Sequence, residues 1–469
     1  MLKKSLVIMS ISAAFFAQAQ DVSVIRNSVE AYSTTPMVGS SKFNAMAGAN
    51  GALGGDASSL LTNPAGLGVA ISGEVTGTLA ITGNKSTSSL GGSSMNYNIN
   101  KFDIGNVGGV ITFQLLTESA WKFINVGVNF SNQSLEDYVE TPGNSNLIYE
   151  FDTNRNSSYA GHAYNRYGNL SRTSFGLGAN YNHNLYLGLG LNFFNANVDQ
   201  YDTAAFRSLE NGAVDYFDKQ NTPYFERSTG FSASLGVIGK VSPNFRLGAA
   251  LETPTFWEID RSYDFYNDPV YGDNSAVEGR KFTSPLKATV SAAVVAGKNF
   301  SLNADYTIGL TKPKYKVYGV AERELNNFFD DFYKNTSEVR LGAEYRVKQL
   351  RLRGGYSFVS NPLDAITVSR FDFRNNDVTA GDQSYNDLIL NNRNLLSFGV
   401  GYDFKSFYID ASYQNVSSKY SNPFMRGILT DNIDSAYYSP GDIITIDDYI
   451  VSDVKNRRNN FFITFGWKF

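Results

Sequence analysis

Few residues in this chain are suited to covalent chemistry. Its 469 residues contain two histidines, His162 and His183, and no cysteine. Nucleophilic hydrolysis needs a serine or cysteine beside a base that a third group orients. Neither histidine has a G-x-S-x-G context. His183 falls in a short turn and His162 in a polar loop beside Tyr159 and Tyr164, so both read as surface histidines. There is no P-loop, no HExxH and no G-x-G-x-x-G at a strand-to-helix turn, and Gly188-Leu-Gly190 reads as ordinary strand alternation. The acidic runs 264–273 and 442–453 lack EF-hand spacing and suit solvated loops. No enzyme, cofactor or metal site is expected. A net charge of -4 and a pI near 5.5 argue against nucleic acid as a partner.

What remains is chemistry of binding. Phe328, Phe329, Phe332 and Tyr333 cluster in an amphipathic stretch of a loop and are candidates for capturing an apolar ligand. Phe256 and Trp257 suit an interfacial aromatic girdle, Trp257 most of all. Arg26 and Lys42 are candidates for pairing with a substrate carboxylate.

The elements that must position these residues are strands. The chain ends in Phe461, Ile463, Phe465, Trp467 and Phe469 on one face, with Asn460, Phe462, Thr464, Gly466 and Lys468 on the other. This period of two fits a strand with lipid on one side and a wet lumen on the other. The N-terminus agrees: Lys3 and Lys4, an apolar run 6–16 and Ala17-Gln18-Ala19 form a signal peptide over 1–19. No lipobox cysteine follows it. No later segment is long and apolar enough for a membrane helix, and the mean hydropathy is -0.25, which an alternating barrel tolerates.

Tight turns recur at 182–184, 242–244, 297–299, 348–349 and 405–406, with long polar loops between them. Short turns at one end and long loops at the other predict an all-β, transmembrane antiparallel β-barrel, with the turns periplasmic. Strands are predicted at 73–83, 105–116, 122–133, 173–181, 185–198, 229–241, 245–260, 286–296, 300–311, 337–347, 350–360, 395–404, 407–417 and 458–469, fourteen in all. Residues 20–72 do not alternate. Small residues dominate 39–55, Asp56 is expected to N-cap a helical turn, and Asn63, Pro64, Ala65 and Gly66 end it. Too small to hold a core of its own, this segment is expected to form a hatch inside the lumen of a barrel spanning 73–469.

Residues 39–48, Gly54-Gly55-Asp56-Ala57 and above all Asn63-Pro64-Ala65-Gly66-Leu67, placed just before the first strand, resemble the FadL/OmpP1/TodX family of Gram-negative outer membranes. The resemblance implies a fourteen-stranded barrel plugged by an N-terminal hatch, carrying hydrophobic molecules (long-chain fatty acids or aromatic hydrocarbons) passively from an extracellular groove to a pocket over the hatch. It implies a sideways exit where the third strand kinks inward, with Gly127 the kink candidate. The expected partners are the hydrophobic substrate, outer-membrane lipid and lipopolysaccharide, and the barrel-assembly machinery through Phe469; a monomer is expected. The competing readings are a general porin, which the hatch opposes, and a barrel serving secretion or surface attachment of other proteins.

Overall fold

The computed structural model describes residues 22–35, 37–116, 118–151, 155–268, 272–373, 378–427, 436–439 and 442–469. The predicted signal peptide lies outside them. Fourteen strands close an antiparallel barrel. They are β1 (Glu74–Leu90), β2 (Ser93–Gln114), β3 (Trp121–Ser134), β4 (Arg155–Tyr181), β5 (Leu185–Ser208), β6 (Tyr224–Lys240), β7 (Phe245–Glu252 and Phe256–Asp268), β8 (Gly272–Thr283 and Lys287–Ala296), β9 (Phe300–Gly309 and Lys314–Lys316), β10 (Ser337–Val347), β11 (Leu350–Val359), β12 (Arg393–Asp403), β13 (Phe407–Phe424) and β14 (Ile450–Lys468). β1 pairs with β14 from Glu74↔Lys468 to Ser89↔Asp453, so the wall has no free edge where the chain's two ends meet. Gly73 and Phe469 exchange backbone hydrogen bonds of 3.0 and 3.1 Å below that pairing.

Alternation sets the wall. Along β14, Phe461, Ile463 and Trp467 are exposed outward while Asn460, Phe462, Thr464 and Gly466 are buried inward. With no water in the bilayer core, a closed ladder is the one way for strands to satisfy their backbone there. The exposed Leu, Phe, Tyr and Val of the outer face mark a barrel built to span an outer membrane. At the β4–β5 turn both Asn182 and His183 take positive φ (49° and 56°), the geometry that matches strand twist in a tight hairpin.

Several strands outrun their expected limits. β1 and β2 continue to Leu90 and Ser93, and β4 starts at Arg155, because their upper parts leave the membrane and polar residues replace the outward apolar ones. The alternation that signals lipid contact stops there, although the ladder does not. Within the loop expected at 134–172 a further strand, Asp137–Phe151, pairs with upper β4. The amphipathic stretch 325–333 lies in a helix, α3 (Val320–Phe332).

β7 is not continuous. It breaks at Thr253-Pro254-Thr255, and the break slips the alternation by one residue. Leu251 faces out and Phe256 faces out, so Trp257 faces in, 2% exposed, rather than joining the lipid-facing girdle. His162, expected at the surface, is also buried: its Nε2 lies 2.7 Å from Asp202 Oδ1 and its ring stacks on Phe424 at 4.1 Å.

Candidate functional site: a cavity above the hatch

The lower lumen is filled by residues 39–70. Ser41–Ala45 forms a short helix, α2, capped by Ser40, and two 3-10 turns follow, Ala57–Leu61 and Pro64–Val69. Asp56 precedes the first of these without capping it, and its Oδ2 accepts from Lys42 Nζ at 3.0 Å. Asn63 and Pro64 open the second turn rather than only ending the first. Asn63 Oδ1 accepts from the Ala65 N–H at 3.0 Å, and Pro64 occupies the first turn, where a missing N–H costs nothing. Asn63 Nδ2 meanwhile donates to Gly51 O at 2.8 Å and reaches Val237 O and Ala249 O on the wall.

The wall receives this segment on glycines. A Cβ on Gly188 would collide with the Pro64 carbonyl and the Ala65 nitrogen, and one on Gly236 with Asn63. Gly248 faces Gly51, Gly342 and Gly355 face Met46, and Gly399 faces Ala45. These seats escaped the sequence reading, where Gly188 passed as ordinary alternation. The signal that marks them is an inward glycine recurring four to six residues from the tight turns at 182–184, 242–244, 348–349 and 405–406. Buried side chains complete the grip: Asp305 accepts from the Asn50 and Gly51 N–H groups at 3.0 and 3.1 Å, Asn125 donates to Leu67 O and Ala70 O, and Ser397 donates to Ala45 O at 2.8 Å.

Higher in the lumen, the N-terminal residues 22–35 cross as a strap. Helix α1 (Val22–Asn27) runs on as a wider turn, Ser28–Tyr32. Its polar side chains find partners on the wall: Asn27 with Tyr224 and Arg166, Glu30 with Arg166 at 2.8 Å, and Tyr32 with Glu226 at 2.7 Å. Burial pushes the Glu30 carboxyl up, but Arg166, Arg26 and Arg393 together outweigh it and hold the group below its ordinary value.

Between strap and hatch lies a cavity of about 260 Å³. Leu61, Leu251, Leu390, Leu395, Val416 and Phe462 supply apolar lining, and cations project among them. Arg340 is matched by Glu338, at 2.7 Å through its Nε. Three others have no carboxylate within ion-pair distance among the described residues. Arg458 donates to the carbonyls of Ser134 and Glu136, Lys287 donates to Thr35 Oγ1 at 2.8 Å, and the Arg393 guanidinium makes no hydrogen bond. Four carboxylates, Glu30, Asp103, Glu252 and Glu338, share this lining with five cations, Lys101, Lys287, Arg340, Arg393 and Arg458, so the space is apolar with interleaved charges and a small positive excess, suited to an amphiphile with an anionic end.

The residues singled out from sequence are divided by the structure. Of the aromatic group only Tyr333 lines the cavity. Phe328 and Phe329 point from α3 into a buried cluster with Trp257, Phe282 and Tyr315, and Phe332 packs at its margin. Arg26 is buried outside the cavity lining, between the rings of Tyr164 (4.5 Å) and Tyr420 (4.8 Å), and donates to Asn422. Lys42 is paired with Asp56; burial opposes its charge, but that carboxylate holds it above the ordinary lysine value.

Gly127 lies in an unbroken ladder, opposite Val110 on β2 and Gly176 on β4, and leaves room for the hatch's Leu67. Strand β3 is not kinked there. The wall comes apart higher: β2–β3 pairing ends at Asn106↔Ser131, while β2 continues upward to Ser93 with β1 the one strand paired to it among the described residues. Lys101 bridges this opening to Glu136 and Asn169, both at 2.9 Å, and Tyr138 fills it between Tyr97 and Tyr167. Lys101, Asp103, Asn132, Gln133 and Ser134 also line the cavity, which therefore reaches the opening from inside.

No family model matches the sequence, and no curated protein does. Solved structures do match in fold. A Pseudomonas aeruginosa FadL homologue superposes with a TM-score of 0.59 at 13% identity, covering 92% of this chain and 99% of its own. The Pseudomonas putida toluene transporter TodX gives 0.53 at 12% identity, with 92% and 99% covered. The Ralstonia pickettii toluene transporter TbuX gives 0.51 at 14% identity, again with 92% and 99% covered. The fold of this chain is that of the FadL and TodX barrels, as the hatch residues implied.

Proposed function

We propose that this barrel carries small hydrophobic molecules passively across the outer membrane, without covalent catalysis. The observation that supports it most is the cavity above the hatch, closed below by residues 39–70 and lined by apolar side chains and by cations that outnumber its carboxylates by one. A general porin needs an open lumen, and here backbone lies against backbone across the lower half. Arg393, Lys287 and Arg458 favour a long-chain carboxylate over a neutral aromatic hydrocarbon, since desolvated cations gain most from an anionic partner. The ligand rests between strap and hatch and leaves sideways through the lower edge of the β2–β3 opening, where outward Phe102 and Ile104 still offer apolar surface to lipid, once Lys101 releases Glu136 and the hatch shifts.

Proteoliposomes test this reading. A labelled long-chain fatty acid is expected to accumulate while sugars stay out. Free passage of sugar instead points to a diffusion pore. Loss of surface display of other proteins on deletion, with fatty acid uptake intact, points to a secretion role.

A further inference from the structure

Three neighbouring strands break at one level, each at a proline. β7 is interrupted at Pro254, β8 at Pro285 and β9 before Pro313. The register on both sides of the break is the same, Glu252↔Lys287 below and Phe256↔Thr283 above, so Pro254 and Pro285 face each other directly. Neither has an N–H to give, and the ladder between them is lost. Side-chain hydroxyls stand in for it. The Thr255 N–H donates to Ser284 Oγ at 2.8 Å, and the Leu286 N–H donates to Thr311 Oγ1 at 2.9 Å. The remaining bonds are single ones, Ser284 N–H to Thr255 O and Leu310 N–H to Leu286 O.

This seam lies where lipid can reach it. Pro254 stands nine residues above Phe245. At roughly 2.5 Å of height per tilted residue that is about 23 Å, the top of an apolar band about 25 Å tall. The outward neighbours agree. Leu251, Phe256 and Leu310 are exposed and apolar, while just above them Glu258 and Lys281 form an exposed ion pair at headgroup level.

From inside, the strap covers the seam and is tied to both its rims. The Trp257 indole, just above, donates to Tyr32 O at 3.0 Å. Lys287, just below, donates to Thr35 Oγ1. The cavity meets the same rims at Leu251, Glu252, Lys287 and Gly309.

We propose that the proline seam is a second membrane-facing portal, through which a single-chain anionic amphiphile in the outer leaflet reaches the cavity. Residues 32–35 are its inner gate, and Lys287, released from Thr35, is the first cation the head meets. The inference rests on the transport reading and adds to it a route on the wall away from the β2–β3 opening.

Because the chain has no native cysteine, staples report cleanly. Thr255→Cys with Ser284→Cys locks the seam, and Thr253→Cys with Leu286→Cys locks it on the other side of the facing prolines. Ile111→Cys with Val126→Cys, an outward pair, locks β2 to β3 below their opening. Fatty acid delivered in the liposome's outer leaflet is expected to be taken up at background rate by either oxidised seam staple and at full rate after reduction. The β2–β3 staple is expected to leave loading of the cavity intact. Loading is read separately as quenching of Trp257 by brominated fatty acid, with Trp121→Phe and Trp467→Phe removing the other tryptophans. Reversible loss of quenching on stapling the seam supports the portal. Equal quenching in stapled and reduced seam variants, each confirmed folded by its heat shift on gels, overturns it. A wild-type protein that takes up no fatty acid, yet shows quenching that the seam staple abolishes, overturns the transport reading and leaves the portal standing.

Discussion

The two halves of the lumen are built by opposite means. Below, hatch and wall approach through glycine, alanine and serine, close enough that backbone meets backbone at Gly188 and Gly355. Above, the wall sends long charged and aromatic side chains inward, and they leave a cavity between them. Close packing of small groups resists displacement because any added atom must collide. An assembly of long side chains yields, since each can change rotamer around a ligand. The lower half is therefore the seal and the upper half the binding space.

The sharpest way to break that contrast is to add bulk below. Gly188→Val drives a side chain into Pro64 and Ala65 and is expected to cost about 3 kcal/mol, the upper range for overpacking. The hatch should become sensitive to protease while the barrel keeps its heat shift on gels. Gly77→Ala, where an added Cβ meets nothing within 4 Å, should change neither. If both variants behave alike, the glycine seats do not hold the hatch. A smaller effect follows from Asn63→Ala, which removes the cap on Ala65 and the bonds to Gly51, Val237 and Ala249. A loss of about 1–2 kcal/mol is expected, seen as faster hydrogen exchange at residues 50–66 and lower fatty acid uptake.

The same contrast explains what could be read in advance. Lipid contact writes a period of two into the chain, so the fourteen wall strands and the outward face of β14 are visible without a structure. The hatch is visible too, because a run of small residues beside Asn63-Pro64 is a local signal. The cavity is not. Its cations come from β8, β12 and β14, residues that no local pattern brings together, and Arg393 looks like any polar residue at a strand start. The helix of Phe328 and Phe329 shows the reverse error. An amphipathic loop segment reads equally well as a surface for ligand or as a lid with its apolar face turned inward, and tertiary packing chose the second. Trp257 was misplaced by one residue of slippage at Pro254, which strand periodicity cannot anticipate.

In the upper half single changes should alter ligand preference more than stability. Arg393→Gln keeps a polar side chain, shorter than arginine's, and removes the cation that makes no hydrogen bond. Affinity for a long-chain fatty acid should fall about tenfold, or about 1.4 kcal/mol, while binding of a neutral hydrocarbon of equal length is unchanged. Equal losses for both ligands, measured by fluorescent displacement, would mean that Arg393 shapes the cavity rather than reading charge.

The smallest expected effect concerns the strap. Arg166 holds the folded Glu30 carboxyl below its ordinary value, so folding favours its ionised form. Such a group stabilises fully above the unfolded carboxylate pKa of about 4.3 and loses that contribution as pH falls through the lower folded value. The strap should be indifferent to pH between neutrality and about 5, then loosen in stronger acid. Trp257, whose indole donates to Tyr32 O at the end of the same helix, reports the change as altered fluorescence. Glu30→Gln should already be loosened at neutral pH and should show less further change in acid. Identical acid responses in wild type and variant would assign the transition to other groups and leave the Glu30–Arg166 pair without a part in holding the strap.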